Sequence, residues 1–219
     1  MECKYCKSKC IKKGIRNKIQ RFRCVCCNKY QQLCYSYNTS KKDFVLIKTL
    51  NNEGVGISSI SRIMKIPKTT VQRLIEIISR TLKKPELTET NQSYEIDELR
   101  TYVGNKKNES WLMYAINKSS GVVVDFAVGR RTKENLKKVV TSVIRLNPKK
   151  IYTDGLNIYN SLIPKPIHKV FQYNINKIER NNLTLRTHIK RLTRRTICFS
   201  KSEAMLENCL RLYVISNTN

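Results

Sequence analysis

The sequence predicts a multidomain α/β chain: a small metal-stapled ribbon, a set of short helices, then a mixed sheet with helices packed on it. Three observations predict this. Seven of the nine cysteines fall within the first 34 residues, at metal-ligand spacing. Residues 41–82 carry apolar side chains at helical spacing, interrupted at Gly54 and Pro67. From Tyr94 onward, alternating apolar runs and helical periods take turns.

The 219 residues are 40% hydrophobic, enough for one core of ordinary size plus small modules. Lys and Arg total 43 against 16 Asp and Glu, a formal charge of +27. Such a balance favours a polyanionic partner, because each phosphate contact releases counterions. A membrane partner is not expected. There is no run of about 18 apolar residues and no basic amphipathic stretch with aromatic anchors. The opening Met1-Glu2-Cys3-Lys4-Tyr5-Cys6 lacks the apolar centre of a signal peptide, so a cytoplasmic location is expected.

Residues 1–40 predict a zinc-ribbon DNA-binding module. Cys3-x2-Cys6 and Cys24-x2-Cys27 are two tight knuckles separated by 17 residues, giving four sulfurs for tetrahedral structural Zn2+. Ile15, Ile19 and Phe22 lie between them, too few to hold a hairpin without metal. Cys10, Cys26 and Cys34 are surplus, and Cys26 beside Cys27 leaves the ligand register open. Ten Lys/Arg face one acid here, Glu2, so the ribbon is expected to touch phosphate. Cys198 and Cys209 stand alone and read as buried, inert thiols.

Residues 41–82 predict a helix-turn-helix. Phe44, Ile47 and Leu50 suit a first helix, and Ile57, Ile60, Ile63 and Met64 a second. Val71, Leu74, Ile75 and Ile78 suit a third, which Pro67 can start but not continue. Lys68, Thr69, Gln72 and Arg73 then lie on its outward face near the N-terminal end, where Gln and Arg pair with base edges. Residues 83–93 have no apolar period and read as a linker.

Residues 94–219 predict the sheet. Strands are expected at Tyr94–Leu99, Trp111–Ile116, Val122–Val128, Lys150–Gly155 and Lys169–Tyr173. Helices are expected at Thr132–Leu146, briefly after Gly155, and from Ile175 to Arg195, where Ile175, Ile178, Leu185, Ile189 and Leu192 form one stripe. Beside that stripe run Glu179, Asn182, Arg186 and Lys190, one acid with cations one and two turns along. The order βββαβαβα matches a ribonuclease-H-like fold.

Acids are scarce here, so their positions carry weight. Asp97 is mid-strand. Asp154 ends a strand, where the crevice of an open α/β sheet lies, and is the only carboxylate between Glu134 and Glu179. Two or three carboxylates converging there would hold a pair of Mg2+ (or Mn2+) ions for an in-line, two-metal phosphoryl displacement. Glu95 shares a strand face with Asp97 and is its closer rival, whereas Glu98 takes the other face. His168 reads as a strand start and His188 as the outer face of a helix. Neither has a nucleophile partner.

Taken together, Cys3-x2-Cys6, Cys24-x2-Cys27, the helix-turn-helix, Asp97-x4-Tyr102-Val103-Gly104, Tyr152-Thr153-Asp154-Gly155 and Ile178-Glu179-Arg180-Asn181-Asn182-Leu183-Thr184-Leu185-Arg186 resemble the transposases of the IS-one family of bacterial insertion sequences. The similarity covers almost the whole chain. It implies a DDE recombinase with Asp97, Asp154 and Glu179 as catalytic metal ligands and Arg186 as a DNA-contacting or positioning cation, with Lys190 beyond it. It implies double-stranded DNA partners, namely terminal inverted repeats and target DNA, strand transfer of a 3′-OH, and a homo-oligomer on paired ends in the bacterial nucleoid. Arg100-Thr101 stand where family members carry a Trp, and Leu206 and Leu212 where histidines are common. Two other readings share these elements: a non-catalytic regulator built on the ribbon and helix-turn-helix, and a ribonuclease-H-like nuclease. A regulator has no need of three converging acids, and such a nuclease has no need of a sequence-reading half.

Overall fold

The computed structural model describes residues 1–16, 18–32, 41–82, 90–170, 176–193, 196 and 198–216. Cys34, most of the expected linker, the expected strand residues 171–173, Ile175, Arg194 and Arg195 lie outside the described residues. The chain forms two compact units, 1–40 and 41–219.

In the first unit, β1 (Cys10–Arg16), β2 (Ile19–Cys24) and β3 (Tyr30–Gln32) make one antiparallel sheet, extending the expected hairpin by a strand. Its buried apolar content is Cys3, Cys10, Phe22 and Cys24, while Ile15 is 72% exposed. An interior made of one aromatic ring and cysteines cannot balance the entropy of ordering the chain.

In the second unit, α1 (Lys41–Asn52), α2 (Ile57–Met64) and α3 (Lys68–Thr81) follow the predicted periods. Lys65 closes α2 in the left-handed region (φ 55°), and Pro67 opens α3. Then come β4 (Ser93–Tyr102), β5 (Glu109–Asn117), β6 (Val123–Gly129), α4 (Lys133–Ile144), β7 (Lys150–Thr153), α5 (Asn157–Asn160), β8 (His168–Val170), α6 (Asn176–His188) and α7 (Glu203–Ser216). The five-stranded mixed sheet has the order β6-β5-β4-β7-β8, antiparallel through β4–β6 and parallel through β4, β7 and β8. Thr132 caps α4, its hydroxyl accepting from Asn135 N at 3.4 Å.

Both sheet faces are covered. Tyr94, Ile96, Met113 and Ala115 pack on α4 through Leu136, Val139, Val140 and Val143. Leu99, Leu112, Tyr114 and Ile116 pack on Ile178 and Leu185 of α6 and on Leu206 and Leu210 of α7. The other side of α7 closes a third core. Cys209 and Leu212 meet Ile47, Ile60, Val71, Leu74 and Ile75 of the three N-terminal helices. Polar bonds follow: Asn51 donates to the Cys209 carbonyl at 3.1 Å, and Ser79 to Asn208 Oδ1 at 2.9 Å. Residues 41–82 and the sheet therefore form one body, and the expected boundary at 83–93 does not divide it.

The helix expected to run to Arg195 ends at His188. Ile189 leaves helical space (φ −116°, ψ 88°), and a 3-10 turn, Lys190–Leu192, follows. The turn after α1 comes against this end: a Cβ on Gly54 (φ 73°) would lie 2.5 Å from the His188 carbonyl oxygen. Lys190 is thereby removed from the helical line of Glu179, Asn182 and Arg186.

Candidate active site and metal centres

Strand β4 runs through the middle of the sheet, but β7 pairs with it only over Ser93–Glu95. Among the described residues no strand pairs with that edge of β4 from Ile96 to Tyr102, before the bridge of Val103 to Ser200. Asp97 faces α6 and Glu98 faces α5, as alternation requires. At an open edge both carboxylates lean into the same gap. Asp154, just past the end of β7, reaches it from the other side. Oxygens of Asp97, Glu98 and Asp154 all lie within 4.8 Å of one another. The expectation that Glu98 points away is thus corrected: its strand face is the opposite one, yet its oxygen joins the group. Asp154 is held by its own loop, its Oδ1 accepting from Leu156 N at 3.1 Å. Gly155 (φ 91°) permits that turn.

Glu179 lies exposed in the first turn of α6. It is outside the mutually close set, but its charge acts on Asp97. A network fixes α6 above the acids. Asn182 Nδ2 donates to Asp97 Oδ2 at 2.6 Å, and Tyr114 Oη donates to Asn182 Oδ1 at 2.9 Å. Glu95, the expected rival, is 1% exposed and serves as a cap: its Oε2 accepts from Ile178 N at 2.9 Å, with Lys118 Nζ 3.4 Å from Oε1. Lys177 donates to the Ser119 carbonyl, and Asn181 to the Gly121 carbonyl at 3.2 Å. Arg186 is half-buried on the same helix, and its charge is felt at Tyr114.

Burial pushes the Asp97 carboxyl up, against hydrogen bonds from Asn182 and the Glu98 N–H, and the charges of Asp154 and Glu179 push the same way. Burial also lifts Glu98 to about 7, with Asp154 and Asp97 adding to it. The Tyr159 hydroxyl, which donates to Glu98, and Arg131, at 3.8 Å, oppose the rise. Burial drives Tyr159 well above its ordinary range. A divalent cation would relieve this crowding of negative charge, and carboxylate oxygens are the donors a hard cation takes. The donor set fits such an ion.

The four thiols of Cys3, Cys6, Cys24 and Cys27 also lie mutually within 4.8 Å, with Cys3–Cys27 at 3.5 Å and Cys6–Cys24 at 3.4 Å. Hydrogen bonds from the Ser8 backbone and hydroxyl bring Cys6 down to about 6. At Cys27 the Lys29 backbone N–H pulls downward, yet burial and the facing thiols outweigh it and push the group up to about 12. Soft donors at this separation suit a thiophilic metal. Cys26 is exposed outside the set, and Cys10 is buried with Gln31 Nε2 at 2.9 Å. Cys209 is buried as expected, but Cys198 is exposed.

Lys68, Thr69, Gln72, Arg73 and Lys190 line one cleft of about 800 Å3, with Arg191 and Lys201 also on its walls. Lys68, Thr69 and Gln72 are exposed, whereas Arg73 is half-buried; the cleft's second wall comes from residues 188–191 and 198–205. Arg186 is not among its lining residues. Sequence reasoning ranked Glu98 behind Glu95 as a rival of Asp97, and missed Tyr114 and Tyr159. The signal for Glu98 was the short β7 run Lys150–Thr153, which leaves the β4 edge uncovered. Among the described residues no helix is long and apolar enough to cross a membrane.

The family described as IS1 transposase matches residues 92–218. The insertion element iso-IS1n protein InsB of Shigella dysenteriae is 38% identical over 120 residues, spanning 55% of this chain and 92% of that protein. The IS1 protein InsB of Shigella flexneri is 32% identical over the same length, again covering 92% of that protein. The IS1 9 protein InsB of Escherichia coli (strain K12) is 32% identical over 120 residues, 72% of its length. A chain of a structure described as a simian T-cell lymphotropic virus intasome with PP2A regulatory subunit B56 gamma is similar over 79% of this chain and 69% of that one. Its identity of 16% and TM-score of 0.40 are too low to carry an argument. With the family pattern running through β4, the acid-bearing loops, α6 and α7, the chain belongs to the IS1 transposase family.

Proposed function

We propose that this chain is a DDE transposase that cleaves DNA at terminal inverted repeats and transfers the 3′-OH strand into target DNA. The observation that carries the reading is the meeting of Asp97 and Asp154 at the open edge of β4, under a helix that brings Glu179 close enough for its charge to reach Asp97. The strand order β6-β5-β4-β7-β8, with helices on both faces, supports a ribonuclease-H-like catalytic domain. Mg2+ or Mn2+ held by these acids would activate a water or 3′-OH and stabilise the leaving oxygen in an in-line displacement. The protein's own contribution is placement. Asn182 holds one Asp97 oxygen, Glu95 caps α6, and the Asp154 loop is tied by its own backbone.

The same reading makes residues 1–40 a zinc ribbon held by Cys3, Cys6, Cys24 and Cys27, and residues 41–82 a helix-turn-helix. Lys68, Thr69, Gln72, Arg73 and Lys190 then meet DNA in the cleft they share, with Arg186 as a DNA-contacting or positioning cation on the helix of Glu179. The charge of +27 supports a DNA partner. A homo-oligomer on paired ends, acting in the cytoplasm, completes the proposal. The test uses purified full chain, Mg2+, an inverted-repeat oligonucleotide and a plasmid target. Asp154→Asn is expected to abolish cleavage and strand transfer while leaving affinity for the ends within about threefold. Wild-type protein that binds the ends but never nicks them would leave a DNA-binding regulator instead.

A further inference from the structure

The family motif accounts for three acids, and Glu98 is not one of them. Yet Glu98, not Glu179, joins Asp97 and Asp154 in the mutually close set. Oxygens bound to one Mg2+ or Mn2+ at roughly 2.0–2.2 Å lie no more than about 4–4.5 Å apart. Three oxygens mutually within 4.8 Å are therefore nearly in place around a single ion.

The Glu98 side chain is 2% exposed. Its protein partners answer its charge only in part. The Tyr159 phenol donates one hydrogen bond. Arg131 Nη1 stands 3.8 Å from Oε2, beyond hydrogen-bond reach, with its guanidinium 4.3 Å from the centre of the Trp111 ring. A buried carboxylate beside two others, with one neutral donor and one distant cation, is costly unless more positive charge arrives.

We propose that Glu98 is a fourth carboxylate of the divalent-cation site, contributing an oxygen to the ion held by Asp97 and Asp154. The inference rests on the cation-binding reading above. A competing role is a latch: through Tyr159, Glu98 ties α5, which follows the Asp154 loop, to β4. The two roles separate by experiment, since a latch needs the phenol and a ligand does not.

The measurement is Mn2+ binding to the full chain without DNA, read from the electron paramagnetic resonance of the free ion. Glu98→Gln keeps the shape and removes the charge, and it should weaken Mn2+ at least tenfold. Tyr159→Phe removes only the hydroxyl and should stay within threefold of wild type. A loss below tenfold in Glu98→Gln, where Asp154→Asn abolishes binding, overturns the assignment and leaves the cation site standing. An equal loss in Tyr159→Phe and Glu98→Gln also overturns it and makes Glu98 a latch. Unchanged binding in Asp154→Asn sinks the cation reading itself and this inference with it. Should Glu98→Gln not fold, Glu98→Asp draws the charge back by one methylene. It should lose at least threefold, and wild-type affinity there overturns the proposal.

Discussion

The thiol cluster and the carboxylate cluster are assembled by opposite routes. In the first unit cysteines are most of the interior: Cys3, Cys10 and Cys24 are buried beside Phe22, with Cys6 and Cys27 partly buried against them. In the second unit the acids sit on a scaffold that already owns three apolar cores. On the zinc-ribbon proposal the thiols would take a cation that completes a fold. The acids crowd together because the fold forces them to. Losing metal should unfold the one and merely unload the other.

Cys24→Ser should have the largest effect. The Cys24 sulfur lies 3.4 Å from that of Cys6 and accepts from the backbone N–H groups of Cys26 and Cys27, so its loss leaves the described residues of 1–32 without a core. Limited proteolysis should cut throughout that segment, as it should after a zinc chelator, while 41–216 stays protected. Protection of both segments would erase the contrast.

Leu210→Ala sharpens it from the other side. Leu210 is fully buried between α7 and the sheet. Its truncation should cost about 2–5 kcal/mol, lowering the melting temperature of the second unit by roughly 5–15 °C. Chelators should not change that shift. A chelator-dependent shift would mean that the second unit also leans on metal.

The smallest effect is with pH. Glu98 is lifted to about 7 from an ordinary 4.5. The folded state therefore keeps this proton to higher pH than the unfolded chain. The contribution to stability is full below about pH 4.5 and falls as pH rises towards 7, by on the order of 3 kcal/mol at most. Thermal melts in a chelator should lose stability from pH 5 to 8. Mg2+ should restore it most at pH 8, and Glu98→Gln should flatten the profile. A profile equally steep in Glu98→Gln would assign the effect to another group.

Much of this was legible in the sequence, because it depends on local period. Val71, Leu74, Ile75 and Ile78 marked α3, Tyr94 to Leu99 marked β4, and the two Cys-x2-Cys knuckles marked the thiol cluster. What stayed hidden depends on partners far along the chain. Alternation sent Glu98 away from Asp97, and only the short overlap of β7 with β4 brings them together. The stripe through Ile189 and Leu192 suggested one long helix, because both residues are buried. They are buried from a 3-10 turn, after Gly54 meets the helix end. Glu95 looked like a rival ligand, since nothing local reveals that Ile178 N will need it. The apparent boundary after Leu82 dissolves because α7 presents Leu206 and Leu210 to the sheet and Cys209 and Leu212 to α1–α3.

That shared helix makes the second unit a ruler. The cleft beside α3 and the gap beside β4 are pinned to one rod, so on the proposed transposase reading the span between a gripped stretch of duplex and a severed bond would be set by protein rather than by sequence. Adding one base pair between the gripped stretch and the tip should carry the cut inward by one step instead of leaving it at the tip.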